Sequence, residues 1–361
     1  MNYLDAAIEV IKILNDNSFD AYIVGGFVRD YILNIESNDI DLTSNATPEE
    51  VSKIFEIIPT GIKYGTVLID YKGFKFEHTT FRLDGSYSDS RHPKEVVYAK
   101  NVMDDLVRRD FTINSLLMNS NKEVIDKLDG IKDLKNHLIK TIGNPDSRFK
   151  EDALRILRVF SFVSKLGFDI DKETYLSIKK NKDLLKNVSV ERIRIELDKI
   201  SNGLNRSKAW ELFYELKINE VFPNMLLVKD FDVTFRDILI HSELNNSKID
   251  AFWQISKNDV KQIEKASKMI KEGLTDYSLF INGYVSSTYA LNYLKLDLSL
   301  WDNLVIKSLK DLNIKGNELS FIVKEKRSLC LNYLAKLVIE NKLENNKEKL
   351  LEEAKKWNIL Q

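Results

Sequence analysis

Apolar residues recur along this chain with two different periods, and the change from one to the other divides it. Leu4, Ala7, Ile8, Ile11 and Leu14 fall at three-to-four spacing and predict a helix. AYIV at 21–24 is a short apolar run closed by Gly25 and Gly26, the pattern of a buried strand. FVRDYIL then returns to helical spacing, and NDIDL at 38–42 alternates acidic and apolar residues as a strand does. Thr47, Pro48 and Glu50 supply the N-cap, N1 and N3 chemistry of a further helix start. GTVLID at 65–70 and FKFEHTTF at 74–81 read as two strands of a hairpin turned by Tyr71-Lys72-Gly73. RLDGSYSDSRHPKE at 82–95 is polar and turn-rich and predicts a mobile loop, with a strand to follow in EVVYA.

After Asn144-Pro145-Asp146 the alternation stops, and Leu, Ile, Val and Phe recur at three-to-four spacing with charged residues between them. The pattern predicts an α+β fold: a mixed N-terminal domain over 1–145, a helical segment over 146–205 and a helical remainder over 206–361. A length of 361 residues agrees, being more than one hydrophobic core usually organises. Trp210, Phe213, Tyr214 and Trp253 in the helical part are expected in the core or at an interface.

Composition narrows the class without naming it. With 43% hydrophobic and 30% charged residues, 5 Pro and 13 Gly, the chain is neither disordered nor low-complexity. Lys and Arg total 54 against 55 Asp and Glu, a formal charge of −1, so a polyanion would have to be held by local basic surfaces. A single cysteine, Cys330, excludes an internal disulfide, and no stretch approaches the roughly 20 apolar residues of a membrane span. The expectation is a protein of the reducing cytoplasm, with no membrane partner and an open oligomeric state.

The candidate chemistry begins at GGFVRD, residues 25–30, followed by DID at 39–41. Two glycines between a strand and a helix let the backbone approach a ligand, and the helix start offers N–H groups to an anion such as a triphosphate. Asp39 and Asp41, two apart on an expected strand, would point to one face while Ile40 and Leu42 pack on the other. Paired hard oxygens suit Mg²⁺, which takes one or two carboxylates together with substrate phosphates. A solvent-facing pair of strand aspartates is the plainer alternative, and the preceding glycine-helix unit weighs against it. Glu77, on a strand face with Lys75 and Thr79, is a candidate third carboxylate for two-metal nucleotidyl transfer, or an exposed glutamate paired with a lysine.

RRDFTIN at 108–114, expected just before an apolar helical run, places Arg108 and Arg109 where they can fork onto phosphates and Asp110 where it can accept from a ribose hydroxyl; the alternative is a helix cap by Asp110 with solvated arginines. EDALRILR at 151–158 reads as helix, which sets Asp152 and Arg155 three apart on one face with Glu151 flanking. A carboxylate that only accepts beside a guanidinium that only donates matches the amine and ring nitrogen of cytosine or adenine. Guanine and uracil would meet the carboxylate acceptor to acceptor. The alternative is an intrahelical ion pair between the two, worth about 0.3–0.5 kcal/mol.

Taken together these stretches resemble the class II tRNA nucleotidyltransferases, the CCA-adding enzymes, and the related bacterial poly(A) polymerases, over about residues 20–200 and in five motifs that occur in order. GGFVRD with DID is similar to the family's catalytic metal motif, RRDFTIN to its ribose-selecting motif, LDGIKDL at 128–134 to its hinge, EDALRILR to its nucleotide-templating helix and ERIRIELDKI at 191–200 to the helix that braces it. The resemblance implies a polymerase-β-like nucleotidyltransferase head followed by a helical neck, body and tail, the last gripping the acceptor arm of a tRNA. It implies Mg²⁺ on Asp39 and Asp41, and nucleotide contacts from Gly25, Gly26 and Arg29, from Arg109, Asp110 and Asn114, and from Glu151, Asp152, Arg155 and Arg158.

The implied reaction is addition of C, C and A to the tRNA 3′ end from CTP and ATP. RLDGSYSDSRHP resembles the flexible loop of members that add the terminal A, and GTVLIDYKGFKFEHTTFR lacks the basic pattern of the poly(A) polymerases; both favour complete CCA addition. A poly(A) polymerase or A-adding enzyme is the near alternative, and a catalytically silent RNA-binding protein the distant one. Tyr64, where the family often has His, and Ser161, where it often has Arg, are departures. His78, His92, His137 and His241 show no paired His-Asp spacing, so no appended metal-dependent phosphohydrolase is evident and each is expected to be structural or exposed.

Overall fold

The short strands of the N-terminal third join into one sheet because each is apolar enough to be covered on a face and none is long enough to stand alone. In the computed structural model, which describes residues 2–83, 97–249 and 251–360, the strands up to residue 125 are β1 (Ala21–Val24), β2 (Asp41–Ser44), β3 (Glu56–Gly61), β4 (Thr66–Tyr71), β5 (Phe74–Thr80), β6 (Arg82–Leu83), β7 (Val97–Tyr98), β8 (Leu117–Met118) and β9 (Val124–Ile125), and a short parallel pair, β10 (Leu138–Ile139) and β11 (Asp169–Ile170), follows. Seven of them form a sheet in the order β3-β4-β5-β2-β1-β8-β9, while β6 and β7 pair separately. Within the seven, β2 and β5 run parallel and the other neighbours antiparallel. The polar stretch between β6 and β7, including His92 and most of the expected loop, lies outside the described residues.

The β4–β5 hairpin is tighter than the sequence suggested. Tyr71 pairs with Phe74, leaving a two-residue loop in which Lys72 and Gly73 have φ of 53° and 81°. Positive φ at both central positions matches the twist of a hairpin, which is why glycine ends it. β3 carries no clear alternation and was not foreseen. It survives as an edge strand bonded to β4 alone, where Pro59 removes no needed donor.

The helices of this part are α1 (Tyr3–Asp16), α2 (Gly26–Ile32), α3 (Pro48–Ser52), α4 (Val102–Val107), α5 (Gly130–Lys135), α6 (Pro145–Glu151), α7 (Leu154–Leu166), α8 (Lys172–Asn181), α9 (Val190–Asn202) and α10 (Arg206–Glu215). α1 buries Ala6, Ala7, Val10, Ile11 and Leu14, the stripe its spacing predicted, and α3 starts with the expected Thr47–Glu50 capping box. α7 is the hub of the helical segment, with α9 and α10 packed against it. Gly130 is required where α5 meets the RRDFTIN segment, because a Cβ there would stand 2.4 Å from the Thr112 carbonyl oxygen.

The chain divides into two compact units, 1–222 and 223–361. α10 lies in the first of these, where Phe213 meets Phe160 edge-on at 5.3 Å. The second unit is helical: α11 (Phe235–Leu244), α12 (Lys257–Glu272), α13 (Asp276–Asn282), α14 (Tyr284–Tyr293), α15 (Ser299–Asp302), α16 (Arg327–Ile339) and α17 (Lys347–Leu360). Its core includes Leu291, Leu319, Cys330, Leu334 and Leu350. Trp210, Phe213, Tyr214 and Trp253 are buried, each in the unit that contains it.

Two expectations are corrected. The DID segment is not one strand: β2 begins at Asp41, and Asp39 precedes it in irregular backbone. RRDFTIN is not followed by a helical run; Thr112–Asn114 form a single 3₁₀ turn that leads into β8.

His78 on β5 is completely buried, with Nε2 2.7 Å from Ser44 Oγ, and burial alone holds its pKa down at about 4. The unfolded chain therefore takes up this proton first. His78 costs no stability above pH 6.5 and progressively more as the pH falls toward 4, approaching about 3 kcal/mol. Urea unfolding between pH 7 and 4.5 should show a steeper acid loss in the native protein than in His78→Gln; parallel curves would contradict the assignment.

Candidate active site

The first unit opens into a cleft of about 970 Å³ lined by the glycine turn, Asp39 and Asp41, the RRD segment, the start of α7 and one face of α9. Gly25, with φ of 82°, ends β1 and turns the chain into α2, a conformation that a side chain would strain. A Cβ on Gly25 would stand 3.5 Å from Arg109 NH1 and one on Gly26 3.6 Å from Arg29 NH2, so two guanidiniums approach the turn.

Asp41 lies in β2 in register with Glu77 of the parallel β5, so the two side chains share a sheet face. Burial, then the charges of Asp39 and Glu77, push the Asp41 pKa up to about 6, against the opposing pull of Arg109. Three carboxylates thus interact at this end of the sheet. Asp39 and Asp41 line the cleft, whereas Glu77 is an exposed residue of β5 outside its lining. Two hard oxygen donors whose mutual repulsion raises a pKa form a site that a dication would relieve, and this donor set fits Mg²⁺ completed by ligand phosphates. Among the described residues no group of three His, Cys, Asp or Glu side chains stands ready to hold a metal unaided.

The RRD segment is organised by carboxylates. Asp105 of α4, with a fully buried side chain, receives Nε and NH2 of Arg108 on Oδ1 and the same two atoms of Arg109 on Oδ2. Asp110 takes Phe111 N–H and Asn114 Nδ2 on one oxygen and Arg158 Nε and NH2 on the other. That fills the four lone-pair positions of its carboxylate. Burial opposes its ionisation, and Arg158 with the Asn114 hydrogen bond outweighs burial, so the carboxyl stays below its usual range. The Asp110 helix cap considered from sequence is not what forms.

From Asp110 a chain of polar contacts continues inward. Arg29 NH1 donates to Asn114 Oδ1 at 2.6 Å, Arg29 Nε to Asp30 at 2.8 Å, and Lys165 to the other Asp30 oxygen at 2.9 Å. Phe162 of α7 packs near both Arg29 and Arg158, whose guanidinium carbons are 5.3 and 5.6 Å from its ring centre. The glycine-turn helix, the RRD segment and α7 are one connected piece of structure.

EDALRILR is not one helix. α6 ends at Glu151, Asp152 is extended with φ −144° and ψ 102°, and α7 begins at Leu154. The intrahelical Asp152–Arg155 ion pair is therefore absent. Asp152 accepts from Leu154 N–H on Oδ1 and from Arg192 of α9 at 2.8 Å on Oδ2. Arg155 NH1 pairs with Glu151 at 2.8 Å, and its NH2 donates to the Arg108 carbonyl, also at 2.8 Å. Asp152 and Arg155 both line the cleft, each oriented by a different partner. Ser161 donates to the buried Glu196 of α9 at 2.6 Å, a compact helix contact at the position of the departure noted above. Tyr64 lies on the surface, its carbonyl accepting from Arg82.

Residues 21–140 match the Poly A polymerase head domain, and residues 167–227 the probable RNA and SrmB- binding site of polymerase A. The CCA-adding enzyme of Lactobacillus helveticus (strain DPC 4571) is 35% identical over 387 residues, covering 96% of each chain. The chain belongs to the CCA-adding enzymes. The member from Anoxybacillus flavithermus (strain DSM 21510 / WK1) is 34% identical over 381 residues, covering 96% of this chain and 95% of its own. The crystal structure of the Bacillus stearothermophilus CCA-adding enzyme in complex with CTP superposes with a TM-score of 0.83 at 27% identity, over 100% of this chain and 98% of that one. Among the described residues, no helix of this CCA-adding enzyme is long and apolar enough to cross a membrane.

Of the residues singled out from sequence, Gly25, Gly26, Arg29, Asp39, Asp41, Arg109, Asp110, Asn114, Asp152, Arg155 and Arg158 line the cleft, and Glu151 reaches it through Arg155. Asp105, Phe162 and Arg192 were missed. Asp105 had a signal, its spacing of three and four to the two arginines. Arg192 sits in the ERIRIELDKI stretch expected to brace this segment, but its pairing with Asp152, 40 residues away, had no signal in the spacing.

The charges here should have opposite effects on stability. Asp110→Asn breaks an enclosed fork to Arg158 and should lower the unfolding free energy by about 2–3 kcal/mol. Asp41→Asn removes a repelled carboxylate and should raise the stability of metal-free protein by about 1 kcal/mol at pH 7. Urea titrations with a chelator present would check both, and destabilisation by Asp41→Asn would remove the repulsion argument.

Proposed function

We propose that this cleft of the CCA-adding enzyme adds C, C and A in turn to the 3′ end of a tRNA, consuming CTP and ATP and releasing pyrophosphate, with side chains in place of a template. The observation that carries the reading is that the glycine turn, the Asp39/Asp41 pair and the Asp152/Arg155 groups line the same cleft. Asp39 and Asp41 are the proposed Mg²⁺ ligands, with Glu77 beside Asp41 as the third carboxylate of that sheet end. Mg²⁺ held there supplies Lewis-acid activation of the primer 3′-hydroxyl and neutralises charge on the leaving pyrophosphate.

The other groups position the nucleotide. Gly25 and Gly26 admit the phosphates close to the backbone, and Arg29 and Arg109 meet them at the turn. Asp110 and Asn114 stand at the ribose, with Arg158 fixing the carboxylate. A hydroxyl that reaches Asp110 takes the place of one of its four present donors. Asp152 accepts from the exocyclic amine of cytosine or adenine while Arg155 donates to the adjoining ring nitrogen, and Glu151 orients Arg155. Asp152 takes the amine beside or in place of Arg192, while Arg155, held on NH1 by Glu151, donates to the base through a remaining N–H.

In this reading residues 1–145 are the head, 146–205 the neck and 206–361 the body and tail, and the helices of the last part hold the tRNA acceptor arm. CTP, ATP and tRNA as substrates put the work in the cytoplasm. The full-length likeness to CCA-adding enzymes favours complete CCA addition over a poly(A) polymerase or a silent RNA-binding protein.

Extension of a tRNA transcript lacking its 3′ CCA, with Mg²⁺ and resolved to single nucleotides, tests the function. CTP alone should add two residues and both nucleotides three; a long ladder with ATP alone would mean poly(A) synthesis, and no extension a silent protein. Asp39→Ala should abolish incorporation while tRNA binding persists, and Asp152→Ala should relax C and A selection more than it slows the chemistry. Full activity in the first or unchanged selectivity in the second would refute the corresponding role.

A further inference from the structure

The two guanidiniums of the RRD segment stand side by side with like charge at the rim of the cleft, where they would repel each other and spread over many rotamers if nothing held them. One carboxylate prevents this. Asp105 Oδ1 binds Nε and NH2 of Arg108 at 2.8 and 2.5 Å, and Oδ2 binds Nε and NH2 of Arg109 at 3.2 and 2.9 Å. The Asp105 side chain is 0% exposed and the two arginine side chains 13% and 19%, so this fork lies beneath the cleft surface with the guanidiniums above it. Burial opposes ionisation of Asp105, and Arg109 and Arg108 outweigh it, keeping the carboxylate charged.

Each arginine spends the same two nitrogens on Asp105 and leaves NH1 without a hydrogen bond among the described residues. Both arginines line the cleft. NH1 of Arg109 is also the atom 3.5 Å from the position of a Gly25 Cβ, and the charge of Arg109 acts on Asp41. The unspent donor of Arg109 therefore belongs to the end of the cleft that holds the glycine turn and the metal carboxylates, where a triphosphate lies in the reading above. A guanidinium held along its Nε–NH2 edge presents NH1 with less entropy left to lose, which is how such a group binds an anion tightly.

We propose that Asp105 is a positioning residue that aims Arg109 NH1 at the phosphate end of the incoming nucleotide, with Arg108 braced on the same carboxylate, so that it governs triphosphate affinity equally for CTP and ATP. The inference rests on the nucleotide-transfer reading of this cleft. Extension of tRNA by the native full-length protein tests that reading first, and only then does the variant test Asp105.

In Asp105→Asn, the KM for CTP and for ATP should rise together by about tenfold or more, the size expected for losing the charge-assisted hydrogen bonds that hold a ligand-binding guanidinium. Competitive inhibition by pyrophosphate should weaken by a similar factor, whereas kcat at saturating nucleotide should change much less. A purely structural role would lower the fraction of active enzyme and leave KM and pyrophosphate inhibition where they were, and that result overturns the proposal. A KM shift confined to one nucleotide also overturns it, since the phosphates are common to both. If thermal melting shows that Asp105→Asn does not fold, Asp105→Glu carries the same two readouts with the charge kept and its oxygens displaced by one methylene. Unchanged KM values and pyrophosphate inhibition in folded Asp105→Glu would overturn the proposal as firmly.

Discussion

Everything in the cleft depends on how Asp110 is satisfied. A carboxylate enclosed by protein is tolerated only when donors fill its lone pairs, and here those donors come from its own segment and from a helix more than forty residues on. Meeting that requirement brings Arg158 of α7 against the RRDFTIN turn. Asn114 then passes the connection to Arg29 and Asp30 just after the glycine turn, and Lys165 returns it to α7. Phe162, which lines the cleft, lies within cation-π distance of both Arg29 and Arg158. The sheet positions Asp41 from one side and this polar chain positions the arginines from the other.

A second junction sits at the break between α6 and α7. Asp152 leaves helical geometry there, so its carboxylate faces α9 and Arg192 instead of its own helix. Arg155 resumes the helix and gives one hydrogen bond to Glu151 and another to the backbone of Arg108. The segment that carries the paired arginines is thereby tied to the residue expected to read the base. Phosphate-facing and base-facing groups share one stretch of backbone, and displacement at one is felt at the other through a hydrogen bond to a carbonyl rather than through a flexible side chain.

Much of this was legible from local pattern. AYIV closed by two glycines became β1 and the strained Gly25 turn, and the Thr47-Pro48-Glu50 signature became a capped helix. The acidic pair after a glycine turn pointed to a phosphate and metal site, and most of the other residues that face the cleft came from the resemblance of five ordered motifs to the CCA-adding enzymes. What the sequence did not disclose is pairing across distance. Spacing suggested that Asp152 would answer Arg155, yet each has another partner, because the helix break at Asp152 is a tertiary outcome to which α9 contributes. β3 escaped notice for a related reason: an edge strand with little to bury leaves little period in its residues, and only its pairing with β4 defines it.

The cations of this cleft are largely answered by carboxylates of the protein itself: Arg108 and Arg109 by Asp105, Arg158 by Asp110, Arg192 by Asp152. Such a surface casts little field into the surrounding solvent. It does not gather anions from afar or hold them for their charge alone, and what it recognises is an exchange of partners made at contact, open to a molecule whose acceptors arrive at the right places together. The cell's many other polyphosphates and acidic chains carry as much charge as a nucleotide and lack that arrangement, so the same neutrality that makes the cleft a weak collector makes it a discriminating one.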